Sequence, residues 1–64
     1  MLPRGPFGMK QIHVWPNHIR IPHIDLVLPR AREEPLSHTL RTLTRLGFDT
    51  RAENVEVYEG VLAN

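Results

Sequence analysis

The sequence predicts a small α+β domain of β-β-α-β order: an antiparallel N-terminal hairpin, one amphipathic helix packed on the sheet, and a C-terminal strand. Three observations predict it. Ile12, Val14, Ile19 and Ile21 alternate with polar residues, the period of strands with one buried face. Leu36, Leu40, Leu43 and Leu46 recur at spacings of four, three and three, which draws one apolar stripe along a helix of about three turns. Val55 and Val57 restore strand alternation towards the C-terminus.

Residues 1–8 hold two Pro and two Gly, which favour neither helix nor sheet, and are expected to form a flexible leader to a single domain over 9–64. From Lys10 to Trp15 the first strand points Ile12 and Val14 to one side, with Gln11, His13 and Trp15 on the other. Pro16-Asn17 supplies turn chemistry, and Ile19 and Ile21 resume the alternation as the returning arm of a hairpin. Pro22 cannot donate to a ladder, and beyond it the apolar phase flips to Ile24, Leu26 and Leu28. A bulge or bend at Pro22-His23 is therefore expected, with Pro29 closing the strand.

The helix is expected to begin near Pro35, with Glu33 and Glu34 favourably placed for its dipole. Ser37 becomes the N-cap if the helix starts a turn later. Gly47 suits the left-handed position just past the C-terminus, Phe48 would pack on Leu43 in a Schellman motif, and Arg45 lies in the last turn. The tail admits two readings. Val55 and Val57 favour a strand, whereas Ala52, Val55, Tyr58 and Leu62 also share a helical face and Thr50 to Glu53 has capping-box spacing. Gly60 costs a helix about 1 kcal/mol, so the strand is preferred. If the strands flanking the helix are neighbours, they form a right-handed parallel unit.

The stretch Leu40-Arg41-Thr42-Leu43-Thr44-Arg45-Leu46-Gly47-Phe48-Asp49, followed by Val55-Glu56-Val57, resembles the helix-to-strand half of ferredoxin-like proteins such as the small PurS-type subunits of purine biosynthesis. The likeness covers under half the chain, and the second half of that fold is missing. It implies a helix feeding a sheet strand, and carries no function or site residue to this chain.

A chain of 64 residues with no Cys buries little surface and has neither disulfides nor a thiolate zinc site to supplement its core. Association with a larger partner or with itself is the remaining way to add burial. The net charge of +1 is neither the strong basic field of a typical nucleic-acid binder nor the acidity of a DNA mimic. No apolar run reaches the roughly 18 to 20 residues of a membrane span, and the N-terminus lacks the apolar core of a signal peptide. A cytoplasmic protein with no membrane contact is expected.

Catalytic motifs are not found. His13, His18 and His23 are spaced by five, which alternates faces along a strand and gives no local chelating pair, so no metal or other cofactor is expected. Ser37 and His38 are adjacent, and neighbours on a helix diverge by about 100°, so they do not form a nucleophile-base pair. Non-catalytic binding is the expectation. Trp15 and His13 on the outer face of the first strand have the character of an interface hot spot. Arg30, Arg32, Arg41 and Arg45 cluster around the helix and the segment leading into it, and Arg41 and Arg45 project together. These six residues are the expected partner-binding set. The size suits an inhibitor or accessory factor of phage or mobile-element type that occludes a partner protein, using a spare strand edge or face. Two other readings fit the same residues: a small nucleic-acid-binding regulator using the arginine-rich helix face, and a structural subunit completing a sheet in a homo-oligomer.

Overall fold

The computed structural model describes residues 10–63; the leader expected over 1–8 lies outside the described residues. The architecture is α+β, with an N-terminal hairpin, one helix and a C-terminal strand. The strands are β1 (Ile12–Trp15), β2 (His18–Ile21), β3 (Leu26–Pro29) and β4 (Val55–Val57), and the helix is α1 (Leu36–Arg45). They form a mixed four-stranded sheet of order β3-β2-β1-β4. β1 pairs antiparallel with β2 and parallel with β4, and β2 pairs antiparallel with β3.

Period-2 alternation sends Ile12, Val14, Ile19, Ile21 and Val55 to one face, where all are buried against Leu43. Leu26, Leu28, Leu36, Leu40, Phe48 and Val61 flank this cluster. The opposite face carries the polar and aromatic members of each strand.

The chain makes one more strand than β-β-α-β. The expected bend at Pro22-His23 is a full reversal: residues Pro22–Ile24 form a 3-10 turn, and Asp25 closes it at φ 55, donating its N–H to the Pro22 carbonyl at 2.9 Å. Asp tolerates this left-handed conformation. The phase flip is real for Leu26 and Leu28, but Ile24 sits in the turn and is exposed. The strands flanking the helix are not neighbours either. β3 and β4 are the two edges of the sheet, and β4 takes its place beside β1.

Pro35, in extended backbone, precedes the helix rather than entering it, and no side chain caps this end. Ser37 is exposed within the first turn, so it is not the N-cap. The free Leu36 N–H donates instead to the Leu62 carbonyl at 3.0 Å, so the tail satisfies a donor the helix leaves open. At the other end the Schellman geometry forms as expected. Gly47 lies at φ 100, its N–H donates to Thr44, and the Phe48 N–H donates to Leu43, both at 3.0 Å. Leu46 departs from the expected stripe: as the C-cap residue it is 59% exposed, and Thr39 is buried in the inward row instead.

Past the helix, the Arg51 side chain hydrogen bonds both carboxylate oxygens of Asp49, at 2.9, 3.1 and 2.7 Å. That bond, and secondly the Arg51 backbone N–H, hold the Asp49 carboxyl below its ordinary value. A lowered native value adds stability above the ordinary carboxylate range and loses it as pH falls through the lowered value. Both side chains are exposed, so the effect is small and salt-screened. In acid titrations of unfolding, Asp49→Asn should flatten the loss that the wild type shows below the ordinary carboxylate range.

Candidate functional site: the outer sheet face

Four strands but one helix leave the second sheet face without a covering layer among the described residues. On it the strand registers bring together His13 and Trp15 from β1, His18 and Arg20 from β2, Val27 from β3, Glu56 from β4, and Tyr58 just beyond it. The Tyr58 N–H donates to the Val14 carbonyl at 2.9 Å, which extends the ladder and places its ring beside Trp15.

Three rings stand side by side across this face. The Trp15 indole stacks on Tyr58 with centroids 3.7 Å apart and planes 8° from parallel, and on His18 at 5.7 Å and 7°. Trp15 lies opposite His18 in the β1-β2 register, while Tyr58 follows from the β4 side. The indole therefore has a ring against each face.

His13 is held in one tautomer. Its Nε2 lies 2.9 Å from the Lys10 carbonyl, which can only accept, so Nε2 carries the proton. Its Nδ1 then accepts from the Tyr58 hydroxyl at 2.9 Å. Both nitrogens are engaged within the protein, which makes His13 a support for the aromatic row. Tyr58→Phe keeps the ring stack but removes the donor, and should cost about 1 kcal/mol in urea unfolding with little change in Trp15 fluorescence. The Trp15 Nε1 is enclosed and has no acceptor among the described residues.

The expected partner-binding set is divided by the fold. Trp15 and His13 lie on the outer sheet face. Arg41 and Arg45 are exposed on the helix surface turned away from the sheet, and Arg32 is exposed in the loop before α1. The helix packs on the inner face, so Arg41 and Arg45 lie on the far side of the molecule from Trp15 and cannot share one flat contact with it.

Arg30 is a correction. Its side chain is fully enclosed and hydrogen bonds Thr39 Oγ1 at 2.8 Å, the Pro16 carbonyl at 3.0 Å and the Glu34 carbonyl at 2.6 Å. The Thr39 hydroxyl in turn donates a hydrogen bond to the Glu34 carboxylate. Arg30 thus ties the β1-β2 turn to the start of the helix and is not available to a partner. The turn needs the tie: neither Pro16 nor Asn17 has the positive φ of the turns that match strand twist in two-residue hairpins.

Arg20, His18, Glu56 and Tyr58 were outside the expected set. Arg20 stands between Ile19 and Ile21, and Tyr58 is in phase with Glu56, so alternation placed them on the outer face, but only the pairing of β4 beside β1 brings Tyr58 to Trp15. Among the described residues, no three His, Asp or Glu side chains converge as metal ligands. No helix among them is long and apolar enough to cross a membrane.

Among the described residues, fold and face together define a two-layer α+β domain with one uncovered, aromatic sheet surface. Comparisons with protein-family models, with curated proteins and with solved structures find no match to this chain.

Proposed function

We propose that this chain is a small, non-catalytic protein-binding module of the cytoplasm, which occludes a partner protein with the outer face of its sheet in the manner of a phage or mobile-element inhibitor or accessory factor. The observation that carries the reading is the row His18, Trp15 and Tyr58, flanked by Arg20, on a face that no second layer covers among the described residues. Trp, Tyr and Arg are the residues that dominate protein interfaces, and rigid rings lose little entropy on contact.

The same row weighs against nucleic acid. Single-stranded bases bind by stacking on open aromatic faces, and here both faces of the Trp15 indole are taken by Tyr58 and His18. The exposed helix arginines lie on the other side of the domain, and the net charge is only +1, so a phosphate backbone would meet few cations at once. Size-exclusion chromatography with light scattering, with and without sheared DNA at low and moderate salt, tests this reading. Elution unchanged by DNA is the expected result. A DNA-dependent shift that fades as salt rises would transfer the function to Arg41 and Arg45, and a stable homo-oligomer would favour a sheet-completing subunit.

A further inference from the structure

We infer a second binding site: the cleft between β3 and α1 takes a short extended peptide segment of another protein, with one aliphatic side chain beside an acidic one. Three features select that occupant.

The first is the cavity. About 180 Å³ of space opens between the sheet edge and the helix, with Ile19, Leu28 and Leu43 as its floor and Thr39, Thr42 and Leu46 as its helix wall. An apolar cavity of about 150 Å³ accommodates benzene, so this one suits a single aliphatic side chain. Its rim residue Leu46 is 59% exposed, although it belongs to the leucine series of the helix.

The second is the strand edge. The Arg30 N–H donates to Asn17 across the β2-β3 ladder at 3.2 Å, so by alternation Leu28 and Leu26 also bond inward. Val27 then turns both its N–H and its carbonyl to the open side, and Pro29 turns outward the position where it has no N–H to give. The edge offers one complete pairing residue and then stops. A partner strand bonded at Val27 would point its flanking side chain into the cleft. At the other sheet edge the Lys10 ammonium donates to the Val55 carbonyl at 3.4 Å.

The third is charge. Along the helix wall, His38 and Arg45 flank Thr42 on its outward side, with Arg41 next to them, and all are exposed. Among the described residues neither Arg41 nor Arg45 has a carboxylate partner. The one carboxylate at the cleft, Glu34, is bonded to Thr39. An acidic residue beside the anchor meets these cations at the rim.

A displayed library of random decapeptides, selected on the whole protein, tests the site. Enriched sequences should share an aliphatic residue adjacent to Asp or Glu, and bound peptide should shift the Val27 and Leu46 amide resonances. Val27→Pro removes the edge N–H without breaking an internal bond, and Thr42→Trp fills the cleft. Each should weaken the selected peptides at least about tenfold. Arg45→Glu, at an exposed position that leaves the fold intact, should weaken them as well. No enrichment, or enriched peptides that bind Val27→Pro and Thr42→Trp as tightly as the wild type, would overturn the inference. A dimer in light scattering that Val27→Pro abolishes would assign the edge to a second copy and overturn it too. Thr42→Trp and Arg45→Glu lie on α1, away from the outer sheet face that carries Val27, so weakened binding in these two variants leaves the outer-face reading standing.

Discussion

Arg30→Ala should remove about 3 kcal/mol of stability, the usual scale for taking one partner from a buried ion pair. For 64 residues that is a large share of a total of roughly 3 to 10 kcal/mol. The loss has an identifiable source. Without the guanidinium, the Pro16 and Glu34 carbonyls lose their donors, and the Glu34 carboxylate faces the Thr39 hydroxyl without a counter-charge. Arg30→Lys should recover only part of it, because one ammonium cannot span the turn, the Glu34 carbonyl and Thr39 together. Urea unfolding of the three proteins checks this. Equal stability of Arg30→Ala and the wild type would mean that the turn and the helix start do not depend on the tie.

Leu43→Ala should be comparably severe, at about 2 to 5 kcal/mol. Leu43 is the one apolar side chain of α1 that is fully enclosed, and it meets residues from β1, β2 and β4 in the core cluster. Its removal leaves a void above the central strands, next to the cleft by Leu46, and so detaches the helix from the sheet. The expected result is a protein largely unfolded at 37 °C, with far-UV circular dichroism losing helix and strand together in one transition.

Much of this fold was legible because local chemistry and global packing agree. Ile12 and Val14, then Ile19 and Ile21, alternate as they must on a sheet with one buried face. Gly47 marks the helix end because few other residues adopt φ 100 there. Val57 and Gly60 favour a strand in the tail, and a strand forms. The third strand was hidden because the phase flip at Pro22 is the same for a bulge and for a reversal, and only the pairing of Leu28 with Ile19 and Leu26 with Ile21 separates them. Thr39 is buried because a hydroxyl bonded between Arg30 and Glu34 carries little polar cost, while Leu46, the C-cap residue, is exposed.

The candidate site was legible in half. Strand alternation puts Trp15 and His13 on the outer face, but the burial of Arg30 depends on carbonyls fourteen and fifteen residues away. The grouping of Trp15 with Tyr58 rests on the parallel β1-β4 pairing across the whole chain, which no local pattern encodes.

Site-specific photo-crosslinking in the host cell tests the central claim most directly, with the reactive side chain placed at Arg20 on the outer sheet face or at Arg41 on the outward face of α1. The expected result is a discrete protein adduct from position 20 and none from position 41. An adduct from position 41 alone, or cross-links only to nucleic acid, would contradict the assignment of the aromatic sheet face as the surface through which this protein acts.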